Sequence, residues 1–207
     1  MTVFIERLLV WGIFSRGIAV IYMISFFSLC YWKQVVALAG ERGISPIAAK
    51  LAAIQRDIPS PLTRYCRFPT LLWFSASDSM LQLLPCVGIL FAFATVLGGT
   101  FTPLTFSAMW IIYLSLDLPV GLKFPWDSLL LEVGFLAQLL PSTHSILLTK
   151  WSDLNRLNFS ATHLPPAGVA WLYRLLLVRL MVGFGRVKFE GHKSRDNCYT
   201  QGFLISQ

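Results

Sequence analysis

Charge is what this sequence has least of. Only 13% of its 207 residues are Asp, Glu, Lys or Arg, about half the share of an ordinary soluble domain, which excludes a compact core wrapped in a solvated polar coat. Cysteine is scarce too. Cys30, Cys66, Cys86 and Cys198 form no C-x-x-C and no Cys/His spacing suited to zinc, which argues against a metal or dithiol site. Cys30 and Cys86 stand inside apolar runs, where Cys behaves as a small buried hydrophobe, so a disulfide is expected only of the pair in polar segments, Cys66 and Cys198. The three histidines, His144, His163 and His192, all lie in polar stretches. Glycine-rich phosphate loops, nucleophile elbows and HExxH are missing, so no catalytic, cofactor-binding or metal residues are expected.

What is there in excess is apolar. Hydrophobic residues make up 56% of the chain, which has sixteen Phe, and mean hydropathy is +0.65. These figures place the chain in a bilayer. The 17 basic side chains outnumber the 10 acidic ones, for a net charge of +7. They flank apolar runs instead of clustering with aromatics, so the partner they imply is the lipid bilayer and not nucleic acid.

With about 20 apolar residues per crossing, the pattern predicts an all-α, polytopic transmembrane helical bundle of about five spans, a single domain over 1–207. The spans fall at about 11–31, 80–98, 102–122, 126–140 and 168–184. Arg16 lies near the start of the first, and Trp32 and Lys33 close it; no small-residue cleavage site follows, so it reads as an anchor and not a leader. In the long loop beyond, Gly40-Glu41-Arg42-Gly43-Ile44-Ser45-Pro46 has turn chemistry. Ile47, Leu51, Ile54 and Ile58 then share a narrow arc at 100° per residue, which predicts an interfacial helix on the membrane surface or, equally, one packed on other loops. Asp78 stands where a helix N-cap serves, ahead of the charge-free run 80–98. Gly98-Gly99-Thr100 and Lys123-Phe124-Pro125 are turns.

Spans four and five carry charge where charge is expensive. Trp126 opens the fourth, which contains Asp127 and Glu132, and the fifth contains Arg174 and Arg179. Each Arg costs about 2.5 to 3.5 kcal/mol at a helix centre, while each apolar neighbour recovers a few tenths. The fifth span therefore needs a partner, and Asp127 and Glu132 lie at a suitable depth. Five residues separate the members of each pair, splaying them by about 140° around their helix, so at least one carboxylate should face at least one guanidinium. A plainer arrangement has Asp127 capping its helix and Arg179 reaching the interface, which leaves Glu132 with Arg174. A structural ion pair is preferred to a catalytic or transport site, because losing one partner of a buried pair is costly whatever the function. Lys188 is the only nearby candidate for a base.

These segments resemble the N-terminal half of a lipase maturation factor, and the likeness extends across the whole chain. It is carried by Gly40-Glu41-Arg42-Gly43-Ile44 with Pro46, by Phe68-Pro69-Thr70-Leu71-Leu72-Trp73 with Asp78, and by Tyr113-Leu114-Ser115-Leu116. Its clearest part is Trp126-Asp127-Ser128-Leu129-Leu130-Leu131-Glu132-Val133-Gly134-Phe135-Leu136, followed by Arg179-Leu180-Met181-Val182-Gly183-Phe184-Gly185-Arg186-Val187-Lys188. Asp117-Leu118-Pro119 departs from the pattern. The resemblance implies a chaperone-like membrane factor of the endoplasmic reticulum that helps secretory lipases fold and assemble, with no enzymatic reaction and no cofactor. It also implies a longer chain, of which 1–207 is a fragment. The alternatives are a membrane enzyme related to vitamin K-dependent carboxylase-like bundles, or a small transporter whose path uses Asp127, Glu132 and the arginines. Two rules disagree on orientation. Lys and Arg number 4 on the side of the N-terminus and 11 on the other, which puts the first long loop in the cytosol, whereas the family topology puts the N-terminus there. Asn158-Phe159-Ser160 is a sequon, glycosylated only when lumenal, so a sugar on Asn158 would refute the family topology.

Overall fold

Long apolar stretches closed by glycine or proline become long helices joined by tight turns. The computed structural model describes residues 2–99, 101–120, 125–145 and 159–193. Helix α1 (Thr2–Cys30) is followed by three short helices, α2 (Gln34–Ala39), α3 (Ile47–Asp57) and α4 (Pro61–Arg67), and then by α5 (Asp78–Leu97), α6 (Thr102–Val120), α7 (Pro125–Ala137) and α8 (Ala167–Lys193). Two isolated antiparallel bridges, Gly99 to Thr143 and Thr143 to Ala161, are the extended pairing among the described residues. The chain divides into two units, Met1–Pro165 and Pro166–Gln207.

In the first unit α1 packs along α5, α5 along α6 and α6 along α7, and α7 returns to α1. Contacts fix the directions. Arg16 reaches Val96 while Cys30 meets Cys86, so α1 and α5 run antiparallel. Tyr113 meets Asp127 while Trp110 reaches Leu131, so α6 and α7 do too. The reversal between α5 and α6 needs glycine: Gly98 and Gly99 have φ of 79° and 145°. Tyr22, Phe26, Leu81, Phe106, Met109 and Leu116 are fully buried at the centre. The outward faces of these long helices are apolar too, with Ile24, Phe27, Leu90, Phe93 and Leu104 exposed. Hydrocarbon as the surrounding solvent accounts for that; water does not.

Each of the five expected spans overlaps a helix among the described residues. Among the described residues three of them are long and apolar enough to cross a bilayer: Val3–Cys30, Asp78–Leu97 and Ala167–Gly185. Helix α6 has 19 residues and α7 has 13. At 1.5 Å per residue α7 is about 20 Å long, short of a hydrocarbon core of about 30 Å, so five full helical crossings do not follow from these lengths. Helix α1 begins nine residues before the expected Trp11, which moves Arg16 from the edge of the helix to its middle. The arc of Ile47 and Leu51 is buried in α3, which packs on α6, so protein covers part of the face assigned to a membrane surface. Ser77, not Asp78, caps α5: its hydroxyl accepts from the Met80 N–H. In the second unit α8 opens after Pro165-Pro166 with the Val169 N–H donating to the Pro166 carbonyl, and Trp171, Leu175, Val178 and Val182 on it are exposed.

Candidate functional site

Arg16 is 7% exposed in the middle of α1, surrounded by acceptors. Its Nε donates to the Val96 carbonyl at 3.0 Å, one terminal nitrogen to Phe159 at 2.7 Å and Gly12 at 3.4 Å, and the other to His144 at 2.7 Å. The guanidinium also lies over the Phe159 ring, 5.5 Å from its centroid. Val96 belongs to the last turn of α5, whose carbonyls have no helical partner. The other two distant acceptors sit in the segments that close this end of the bundle. Those segments are laced to one another: Gly99 N–H donates to Thr143, His144 N–H to Ser160, Thr162 N–H to Ser142 and Ala161 N–H to Leu8 of α1. A side chain at Gly12 would collide with the Phe159 carbonyl, and one at Gly98 with the His144 carbonyl and the Arg16 guanidinium. Glycine at both places lets backbone approach the cation.

A second polar centre lies between α1, α6 and α7. The Tyr113 hydroxyl donates to Asp127 Oδ1 at 2.5 Å, and the Tyr22 hydroxyl to the Leu130 carbonyl at 3.1 Å. The two tyrosine rings meet edge to face at 5.8 Å, and Phe26 packs on Tyr113 at 5.6 Å. Asp127 is 7% exposed in the first turn of α7, where the helix macrodipole favours a carboxylate. One turn beyond Tyr113 on α6, Asp117 has a buried Oδ1 with no hydrogen-bond partner among the described residues. Among the described residues no group of three His, Cys, Asp or Glu is placed to hold a metal ion.

The first long loop is latched onto the bundle by the same polar economy. Thr70 Oγ1 donates to the Ser115 carbonyl at 2.8 Å and the Leu71 N–H to Ser115 Oγ at 3.0 Å, so the Phe68–Trp73 stretch is tied to α6. The Glu41 N–H donates to Asp78 Oδ1 at 2.9 Å, and a side chain at Gly40 would meet that same oxygen. Asp78 therefore anchors the Gly40–Gly43 turn, a role its place in the sequence did not reveal. Segments that are far apart in the chain, around residues 41, 70, 78, 115 and 127, are thus joined in pairs.

The anticipated site residues are distributed unevenly. Trp126 is exposed, Asp127 buried on Tyr113, and Glu132 half-buried in α7. In the second unit Arg174 lies over the ring of Trp171, 5.1 Å from its centroid, Arg179 is exposed, and Lys188 falls near the end of α8. Cys66 is exposed in α4, while Cys198 and Asn158 lie outside the described residues. Cys30 and Cys86, expected as buried hydrophobes, are half-buried and exposed, with their sulfurs 3.3 Å apart. A thiol pair thus exists that no C-x-x-C spacing signalled. Tyr113 and Asp117 carry no signal as site residues in the sequence either, because a neutral hydroxyl does not show its partner and a single carboxylate near a helix end does not show whether it has one.

The profile described as the lipase maturation factor transmembrane domain matches residues 9–201. Similar curated proteins include lipase maturation factor 2 of Xenopus tropicalis, 32% identical over 193 residues that are 88% of this chain and 25% of the relative. Lipase maturation factor 2 of Mus musculus is 35% identical, covering 85% of this chain and 25% of its own length, and lipase maturation factor 1 of Homo sapiens is 30% identical, covering 89% and 31%. The chain spans about a quarter to a third of the length of these relatives. No solved structure matches it. A match over nearly the whole chain places this protein in the lipase maturation factor family, by way of that family's transmembrane domain.

Proposed function

We propose that this chain is the membrane-embedded, N-terminal part of a folding factor of the endoplasmic reticulum that assists secretory lipases to fold and assemble, and that it catalyses no reaction of its own. The observation that carries the reading is the family match over residues 9–201. The use made of the polar groups supports it: Arg16 is spent on backbone carbonyls, Asp127 on Tyr113 and Asp78 on a loop amide, an arrangement suited to a scaffold. The chimera that carries this segment in place of the corresponding part of a full-length relative tests it. In cells deleted for their own factor the chimera should restore secretion of active lipase; a chimera that inserts into the membrane yet leaves the lipase inactive would overturn the reading.

The same proposal requires that the charges of the fifth span be compensated, since two uncompensated arginines cost about 5 to 7 kcal/mol in hydrocarbon. Cys66 and Cys198, both outside the apolar spans, form the disulfide of the tail if one exists there. The N-terminus lies in the cytosol and the first long loop in the lumen. In that orientation Asn158 is cytosolic and carries no sugar.

A further inference from the structure

Cys30 on α1 and Cys86 on α5 face one another with their Sγ atoms 3.3 Å apart. We propose that this pair is a redox-modification site that closes to an intramolecular disulfide, stapling the end of α1 to α5. The inference concerns the fold and stands independently of any client. A disulfide has its sulfurs about 2.05 Å apart with a Cα separation of about 5.5 to 6 Å. At 3.3 Å the two sulfurs already stand within about 1.3 Å of that bond length, on helices that pack against one another and run antiparallel. The register is fixed from the other end, where Arg16 of α1 binds Val96 of α5, so the thiols meet by construction.

Position gives the staple a consequence. Cys30 is the last residue of α1, and the chain leaves it through a 3-10 turn, Tyr31–Lys33, in which Lys33 has φ of 55°. That is left-handed backbone in a residue other than glycine. The staple therefore fixes the last residue before the chain bends into α2, and α2 leads directly to the Gly40–Glu41 turn held by Asp78. It also closes the first long loop covalently, which restricts the unfolded chain.

Access sets the chemistry. Cys86 is exposed on an apolar helix and Cys30 is half-buried, so an oxidant dissolved in the bilayer reaches the pair at Cys86. Each cysteine gives up its thiol hydrogen, two S–H bonds break and one S–S bond forms. The two electrons and two protons pass to a membrane-soluble quinone, which becomes a hydroquinone, and a dithiol reductant reverses the step.

The test uses the full chain reconstituted in lipid nanodiscs, with a soluble benzoquinone as oxidant and a maleimide-polymer gel shift after denaturation as readout. In the Cys66→Ser/Cys198→Ser background we expect two additions in the reduced protein, none after quinone, and two again after dithiothreitol. Peptide mapping of the oxidised wild-type chain should recover residue 30 linked to residue 86, which keeps the test valid if the serine variant folds poorly. Cys30→Ser or Cys86→Ser in that background should leave one addition under both conditions. Two additions persisting after quinone, or mapping that links either cysteine to Cys66 or Cys198 instead, would overturn the proposal.

Discussion

Arg16 binds carbonyl oxygens from four separate places: α1 itself, the end of α5, and the stretches around His144 and Phe159. Removing the side chain takes a donor from the three distant acceptors, Val96, His144 and Phe159, while the Gly12 carbonyl keeps its helical bond; each buried polar group left unsatisfied costs about 1 to 3 kcal/mol. Arg16→Ala is therefore expected to cost at least about 3 kcal/mol, seen as loss of monodisperse folded protein in detergent. Arg16→Lys, which keeps the charge but lacks the planar fork, should fall between the two. An Arg16→Ala protein as stable as the parent would remove Arg16 from the architecture. The residue was visible in the sequence but misplaced: the apolar window opens at Trp11, whereas the helix opens at Thr2. Asp127 was legible as a problem because a charge among leucines is expensive. Its partner Tyr113 was not, since a hydroxyl costs too little to stand out.

Helix α7 approaches α1 closely because it carries Gly134 where Tyr22 arrives. A side chain at Gly134 would collide with the Tyr22 hydroxyl, the same group that donates to the Leu130 carbonyl one turn earlier. Gly134→Ala should destabilise by about 1 to 3 kcal/mol through overpacking. Adding Tyr22→Phe removes the colliding oxygen, so the double variant is expected to be more stable than the sum of the two single losses. Thermal unfolding of all four proteins in one detergent gives the coupling, and strict additivity would refute the contact. Gly134 read from sequence was one letter of a motif; the tertiary approach of Tyr22 is what demands it. Helix boundaries followed the same logic. Periodicity and turn residues mark the five helices α1, α5, α6, α7 and α8, whereas α2 and α4 leave no such mark because a stretch of six or seven residues shows too little periodicity.

Across the whole molecule, charge compensation and the direction in which the chain faces are each tested by one experiment. A charge swap of Glu132 with Arg174 should recover membrane expression lost in either single reversal if the pair expected from the sequence exists. Failure to recover it, with each single variant impaired, would argue against contact. Orientation has its own reporter in Cys66, exposed on α4 in the first long loop. In sealed, reduced endoplasmic-reticulum vesicles a membrane-impermeant maleimide should label Cys66 only after detergent is added. Labelling of intact vesicles, or a sugar on Asn158, would turn the proposed topology over. Composition and run length by themselves determined that this chain is helical and lives in a membrane, because both depend on how many apolar residues stand in a row. The family motifs were legible for the same local reason. Only the tertiary structure decided which polar groups satisfy one another. Arg16 with Phe159 and Thr70 with Ser115 are 143 and 45 residues apart, and a hydrogen bond across such distances depends on how helices stack, which no local pattern encodes.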